Sequence, residues 1–347
     1  MQIADLVAEA SRQLSVCNSC RYCEGYCAVF PALERRSAYG EKDALYLANL
    51  CHDCRACYQA CMYTQPHELA IDIPRLMSEL RSRSYGPRRL GGPLFAGLAS
   101  LLGVVAFLAL VLARGVPLFS ARRGFYEAVP YLDMLLPALA GGLFVVAVWA
   151  GGAIRLWRSA GRPPSLAAWA GALRDGVELT YLRGGGPGCD YPDEQRPSKR
   201  RLIAHQLVAF GFAIDFVATV AAGVEQDLLG IPPPYAPLSV PVVLGTLGGL
   251  LMIAGAGDLI AMKLRAPAAR AARELLGLDQ AFLALLVLVN LSGLALLFLR
   301  TTAAMPSLLV LHLGLLFGLY ATAPYGKFAH AALRLAALAV NRSEERA

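Results

Sequence analysis

The stretches CNSCRYCEGYC (residues 17–27) and CHDCRACYQAC (residues 51–61) decide how this sequence is interpreted. Each holds four cysteines at one spacing, C-x2-C-x2-C-x3-C. In a reducing compartment, thiols clustered this densely are better suited to holding metal than to forming disulfides. The repeated motif therefore predicts two neighbouring metal centres near the start of the chain.

The spacing favours iron–sulfur clusters. Short x2 spacings let three successive cysteines surround one cluster while the fourth points elsewhere, and in two-cluster ferredoxins that fourth cysteine binds the other cluster. The predicted ligands of two [4Fe-4S] clusters are Cys17, Cys20, Cys23 and Cys61 for the first, and Cys51, Cys54, Cys57 and Cys27 for the second. Crossed ligation explains the repeat, because each motif completes the site of the other.

A pair of zinc sites is the alternative, since zinc bound by four cysteines uses similar C-x2-C pairs. Zinc gives no reason, however, for three x2-spaced cysteines followed by x3. The proline that often follows the fourth cysteine in bacterial ferredoxins is absent here, where Ala28 and Met62 stand. Residues 32–50, between the motifs, have a helical pattern. We therefore expect an α-helical, ferredoxin-like domain with two clusters over residues 1–90.

The rest of the chain has the composition of a membrane protein. Of its 347 residues, 56% are hydrophobic and 16% are charged, and the apolar residues are concentrated after residue 90. Runs of about 20 apolar residues are long enough to cross a bilayer. Residues 91–347 are therefore predicted to form an all-α, cytochrome b-like bundle of six spans: 93–113, 133–155, 202–222, 240–262, 280–299 and 306–332.

The basic residues indicate topology. The net charge of +7 comes from Lys and Arg that flank apolar runs, without the basic stripe and interleaved aromatic residues typical of nucleic-acid binding. They are most frequent before the first span and in the second and fourth loops, which predicts that both termini face the cytoplasm. The N-terminus has no signal-peptide pattern. We expect a multi-pass protein of the bacterial inner membrane with its cysteine head in the cytoplasm.

Three histidines fall within the predicted spans, where ionisable residues are costly and often functional. His312 and His330 are eighteen residues apart, which is five helical turns, so one face of the last span is expected to carry both. Their separation of about 27 Å along a helix is too large for both to bind one haem. His205 and His330 have matched depth on different spans, as two axial ligands of a haem b require.

His312 and Asp215 are predicted to lie deeper in the spans. Either could line a quinone site, His312 could bind a second haem, and both could simply hydrogen-bond to neighbours. In the loop GGGPGCDYPDE (residues 184–194) Cys189 stands alone, and the glycines there lack the Lys and Ser or Thr of a phosphate-binding loop. Contact with a partner or with the cysteine head is the interpretation we adopt for this loop.

The cysteine motifs, the loop 184–194 and the histidines of the last span together resemble the tricarballylate-utilisation protein B family (TcuB/CitB) and the related C-terminal part of CobZ. The resemblance covers essentially the whole chain. It implies a membrane electron-transfer protein that reoxidises the FAD of a separate soluble tricarballylate dehydrogenase (TcuA-like) and passes electrons to membrane quinone. The chain has no G-x-G-x-x-G motif opening a βα unit, which also places the flavin on a partner.

The last span also resembles that of the cytochrome b subunit of respiratory nitrate reductase. That similarity implies that His330 pairs with His205, whereas the position of a second partner holds Asp215, so a single haem is favoured. Two other functions are open at this point: an electron-transfer partner of a CobZ-like flavoprotein in cobalamin biosynthesis, and a membrane transporter whose cysteines sense iron or redox state. The Gly-rich fourth span is the only hint of a transporter.

Overall fold

The computed structural model describes residues 3–119, 124–159, 163–183, 198–265 and 273–345. No β-strand occurs in these residues, so the all-α prediction is confirmed. The helices, in chain order, are α1 Ile3–Cys20, α2 Val29–Glu34, α3 Glu41–Leu50, α4 Ala56–Ala60, α5 Ile73–Ser84, α6 Pro93–Ala113, α7 Phe125–Ala128, α8 Tyr131–Ser159, α9 Leu166–Glu178, α10 Arg200–Asp227, α11 Val240–Arg265, α12 Arg273–Leu299, α13 Met305–Thr322 and α14 His330–Glu344.

Helices α1 to α5 form the cysteine head. Leu6, Ala10 and Leu14 recur on one face of α1 and are fully buried, as the helical period requires. The segment between the cysteine motifs is helical as expected, but it forms two helices, α2 and α3, because the chain bends before Gly40. Asp72 caps α5 by accepting a hydrogen bond from the Arg75 backbone N–H. The head is thus a small helical domain with its own core.

Six helices of the described residues are long and apolar enough to cross a membrane: α6, α8, α10, α11, the Gly277–Leu299 part of α12, and α13. The protein is therefore a multi-pass membrane protein, as predicted. The predicted bounds of the first five spans agree with these helices to within a few residues at most ends. The helices are continuous, including the Gly-rich α11 that hinted at a transporter.

The predicted last span, 306–332, begins where expected, but its predicted C-terminal end is wrong. The helix α13 ends at Thr322, and a turn through Pro324 leads into a separate helix, α14. Proline cannot continue the hydrogen bonding of the preceding turn, and the Gly326 backbone N–H instead closes on Thr322 O at 2.8 Å. His312 and His330 therefore lie on different helices and share no helix face.

The helices α10 and α11 pack closely against each other beside Asp215. A Cβ added to Gly248 of α11 would lie 2.8 Å from Gly211 O of α10 and 2.5 Å from Oδ1 of Asp215. Only glycine lets the two backbones approach so closely. Gly248 and Gly255 of α11 thus serve helix packing, which gives these glycines a role other than transport.

The helix α14 joins the head to the bundle. Its residues Leu333 and Leu338 belong to the same buried apolar cluster as Leu47 of α3 and Leu156 of α8. Towards its end, Glu344 accepts a hydrogen bond from Arg36 Nη2 of the head at 2.7 Å. The head is therefore fixed against one end of the bundle, which we call the head-side end.

Candidate functional site: two cysteine cavities above a histidine pair

The eight cysteines of the motifs line two cavities in the head. One cavity is lined by the first cysteine set, which is Cys17, Cys20, Cys23 and Cys61. The other is lined by the second cysteine set, which is Cys27, Cys51, Cys54 and Cys57. The fold brings together the residues of each predicted ligand set, with one cysteine from the opposite motif in each.

One left-handed residue stands at the same position in both motifs. Cys17 and Cys20 occupy the last turn of α1, and Arg21, directly after Cys20, has a φ of 55°. Arg55 holds the equivalent position after Cys54 and has a φ of 64°. A left-handed conformation at a residue with a side chain costs about 1 kcal/mol or more, and such strain is concentrated at functional sites. The repeated strain indicates that both motifs are shaped for the same kind of ligand.

Buried thiols in both sets, such as Cys17 and Cys57, are destabilised as thiolates when no metal is bound. Burial raises the pKa of Cys17 to about 12, and the neighbouring Cys61 and Cys23 add to the rise. Burial and the nearby thiols of the second set likewise raise the pKa of Cys57. Cationic metal centres would remove this penalty, because they compensate the charge of several thiolates at once.

The spacing of the thiols fits clusters better than single ions. No group of three or more His, Cys, Asp or Glu side chains in the described residues is placed to hold one metal ion. Four thiolates on a cubane bind four different irons and lie farther apart than four thiolates on one zinc ion.

His205 of α10 and His330, the first residue of α14, face each other at the head-side end of the bundle. Their ring centres are 6.1 Å apart and their planes are nearly perpendicular, at 81°. Two imidazoles that bind one metal ion from opposite sides hold their ring centres about 6 Å apart, because each metal–nitrogen bond is about 2 Å and each ring centre lies about 1 Å beyond its nitrogen. We refer to these residues as the histidine pair.

The surroundings of the histidine pair also suit a haem. His330 Nδ1 contacts Lys327 O at 2.5 Å, which fixes the ring and leaves Nε2 for a ligand. His205 Nδ1 is buried and has no hydrogen-bond partner. Beside the pair, Phe328 contacts the rings of Trp149, Phe212 and Phe282 with centres 4.8, 4.9 and 5.1 Å away. The residues present thus supply two candidate axial ligands close to a cluster of aromatic rings.

The pKa of His330 lies well below its usual value, mainly because the ring is buried and secondly because of the positive charges of Lys327 and Arg334. The imidazole is therefore neutral over the physiological range. A neutral imidazole is the form that binds a metal ion.

Three arginines lie between the second cysteine set and the histidine pair. Arg81 and Arg334 both donate hydrogen bonds to Cys51 O. Arg201 donates to Asp53 O at 2.5 Å. We call this group, Arg81, Arg201 and Arg334, the arginine junction, and it joins a cysteine motif to the helices of the histidine pair.

A further charged group lies at the same end of the bundle. Asp279 of α12 is buried and forms salt bridges with Lys263 of α11 and, at 3.0 Å, with Lys327. The sequence analysis missed this group and the arginine junction. One signal was present: Arg201 precedes His205 by four residues and Arg334 follows His330 by four, which places each arginine one helical turn from a predicted ligand.

His312 and Asp215 are in separate surroundings. His312 Nδ1 lies 3.0 Å from Ser292 Oγ of α12, whereas the carboxylate of Asp215 faces Gly248 of α11. The chain has five histidines, and the other two, His52 and His67, belong to the head. A second bis-histidine haem site therefore has no candidate pair in this chain.

The two histidines of the head have different surroundings. His67 accepts a hydrogen bond from the Leu69 backbone N–H. His52 is buried, and its ring contacts Tyr181. Cys189 and its loop, 184–194, lie outside the described residues.

Comparison with known proteins agrees with the cysteine cavities. The family model described as "Citrate utilization protein B Fer4-like domain" matches residues 10–87, and the one described as "Citrate utilization protein B" matches residues 87–347. Citrate utilization protein B of Escherichia coli is 39% identical over 346 aligned residues, covering 95% of this chain and 90% of that protein. No solved structure matches the chain significantly. The chain, with its Fer4-like head and six apolar spans, therefore belongs to the Citrate utilization protein B family.

Proposed function

We propose that this protein carries electrons from the reduced FAD of a soluble, TcuA-like tricarballylate dehydrogenase to quinone in the bacterial inner membrane. The observation that carries the proposal is the stacking of two four-cysteine cavities above the histidine pair, joined by the arginine junction. Such an arrangement gives electrons a continuous path from the head into the bundle. The name of the Escherichia coli relative supports a role in the use of citrate or a related tricarboxylate.

The first and second cysteine sets each hold one [4Fe-4S] cluster in this proposal, with ligands crossed between the motifs. The histidine pair holds a haem b. When bound, these groups supply one-electron transfer. The protein's part is to fix their spacing, to exclude water from them and to set their electrostatic surroundings.

Electrons enter at the first cysteine set, since this is the more open of the two. Cys20 is exposed, and Tyr22 and Met62, which line the same cavity, are 62% and 70% exposed. Cys51 of the second set is only 7% exposed and lies against the bundle. A flavoprotein that contacts the exposed side would bring its flavin closest to the first cluster.

The exit is a quinone in the lipid. Oxidation of the reduced flavin releases two electrons and two protons, and reduction of the quinone to quinol takes up two electrons and two protons. Asp215 and His312 lie within the spans and are the candidate groups for quinone binding or proton supply. The distribution of Lys and Arg supports a cytoplasmic head and two cytoplasmic termini.

Metal and haem analysis of the anaerobically purified, full-length protein tests the proposal. We expect iron and acid-labile sulfide for two cubanes and the optical spectrum of one reduced b-type haem. Addition of reduced flavoprotein and a soluble quinone should then produce quinol. Full-length, folded protein that contains zinc instead of iron and sulfide would refute the electron-transfer function.

A further inference from the structure

We propose that Arg201 and Arg334 are positioning residues that couple the second cysteine set to the histidine pair, and that their charges raise the reduction potential of the cluster held by that set. This inference rests on the proposed function, because it concerns the cluster and the haem named there. It adds a direction of electron flow within the chain.

The first step is geometric. Arg201 lies one turn before His205 on α10, and Arg334 lies one turn after His330 on α14. Each helix of the histidine pair thus presents an imidazole and a guanidinium at adjacent levels. Both guanidiniums reach the same three-residue segment of the second motif, Cys51 to Asp53.

The second step concerns the contacts. Arg334 donates to Cys51 O and also, at 3.3 Å, to Asn49 O. Arg201 donates to Asp53 O and also contacts His52 O at 3.5 Å. A planar guanidinium can bridge two carbonyls in a fixed geometry, which a lysine cannot do. The backbone around one cluster ligand is therefore held at a set distance from both histidines.

The third step concerns charge. Arg81, which is 3% exposed, adds a third guanidinium at Cys51. Lys263 and Lys327 lie at the same end of the bundle. The carboxylates facing these five basic groups are those of Asp53 and Asp279, so positive charge is in excess. A cluster bound by four thiolates becomes more negative on reduction, and buried positive charge stabilises that reduced form.

The first cysteine set has different surroundings. The lining of its cavity contains no Lys or Arg among the described residues, whereas Arg55 lines the second cavity. The second cluster should therefore have the higher potential of the two. Electrons that enter at the exposed first set would then move towards the histidine pair.

The test is a redox titration, followed by EPR, of the full-length protein and its Arg334→Gln and Arg201→Gln variants. We expect each variant to keep its iron, sulfide and haem, because Cys51 O retains Arg81 as a donor. The midpoint potential of the second cluster should shift to more negative values, while that of the first cluster stays unchanged. The second cluster is recognised as the one whose EPR signal changes in Cys57→Ser, because Cys57 lines only the second cavity.

Two further variants separate charge from geometry. Arg334→Lys keeps the charge but not the planar fork, so the potential should return towards that of the parent while electron transfer from the reduced second cluster to the haem stays slower. Arg158→Gln, which removes an exposed arginine at the end of α8, is the control and should change neither quantity.

Unchanged potentials in Arg334→Gln and Arg201→Gln, with full iron and haem contents, would overturn the inference and leave the proposed function intact. If Arg334→Gln fails to retain its cluster, the midpoint potentials of the second cluster in Arg201→Gln and Arg334→Lys decide instead. A shift in Arg158→Gln as large as that in Arg201→Gln would also refute the inference, because the effect would not depend on the junction. Parent protein without iron or haem would instead refute the proposed function itself.

Discussion

The proposed haem site rests on the two imidazoles of His205 and His330 at the head-side end of the bundle. Their 6.1 Å separation matches the distance needed for two ligands on opposite sides of one iron. Neither ring is engaged by a carboxylate or a hydroxyl group in the contacts described above. The third histidine of the bundle, His312, differs because a serine hydroxyl lies beside its ring.

Replacing either member of the histidine pair by alanine should remove the haem. We expect His205→Ala and His330→Ala to lose most of the reduced b-type optical bands, because one axial ligand alone binds the iron more weakly. The EPR signals of the clusters should stay. His312→Ala is the matched control and should retain the haem. Unchanged haem content in both His205→Ala and His330→Ala would show that the axial ligands are elsewhere.

The crossed ligation is tested at Cys27. This cysteine belongs to the first motif but lines the cavity of Cys51, Cys54 and Cys57. We expect Cys27→Ser to impair the same cluster as Cys57→Ser does and to leave the other cluster intact. Loss of the cluster at the first cysteine set, as judged by EPR, would contradict this assignment.

The buried thiols also predict how the cluster-free protein responds to pH. Because the pKa of Cys17 rises from 9.0 to about 12 in the folded protein, the unfolded chain loses its thiol protons first as the pH increases. The stability that the folded state has below pH 9 is therefore lost between about pH 9 and pH 12. The melting temperature of the cluster-free protein should fall over this range, and should fall less in Cys17→Ser. An equal fall in both proteins would contradict the prediction.

Among the helices, those that cross the membrane were the most predictable and the last apolar segment was the least. Hydropathy is a local property, so runs such as 93–113 identify their helices directly. The turn at Pro324 was missed because the residues around it, from Ala321 to Ala329, are also mostly apolar. The grouping of the cysteines into two sets was predictable because their spacing follows the pattern of two-cluster ferredoxins. The arginine junction depends on tertiary contacts between distant segments and could not be assigned from spacing.

Packing of α10 against α11 gives a prediction for these helices. Gly248→Ala would place a methyl group 2.8 Å from the backbone oxygen of Gly211, and overpacking of this kind costs about 1–3 kcal/mol. We expect a lower melting temperature in detergent for this variant. Gly257→Ala, on the same helix but with no atom within 4 Å of the new methyl group, should be neutral or slightly stabilising. Equal melting temperatures for the two variants would contradict the close approach described here.

Across the whole molecule, the candidate sites are ordered by depth, from the exposed first cysteine set to the second set and then to the histidine pair. In the proposed function, the exposed face at Tyr22 and Met62 is the entry point for electrons. The opposite end of α1, at Ile3, is about 26 Å away along the helix axis. A partner that reduces the protein must therefore bind near one end of α1 and not the other.

A charge placed at the entry face should affect the partner alone. We expect Met62→Glu to slow reduction by the flavoprotein several-fold, whereas reduction by dithionite keeps its rate and the iron content is unchanged. Ile3→Glu, which alters an exposed apolar residue at the far end of α1, is the control. Equal rates of reduction by the flavoprotein in both variants would place the entry point elsewhere.

The helix α14 has a consequence for biosynthesis. The ribosome makes both cysteine motifs before any span, yet Leu333 and Leu338, which complete the apolar core around the head, are made only after the sixth span. The nascent head is therefore unfinished for as long as the bundle is being inserted. Iron delivered to the head before release of the chain would meet a head whose apolar core is incomplete. We therefore expect stable loading of the second cysteine set to follow the insertion of the whole membrane region.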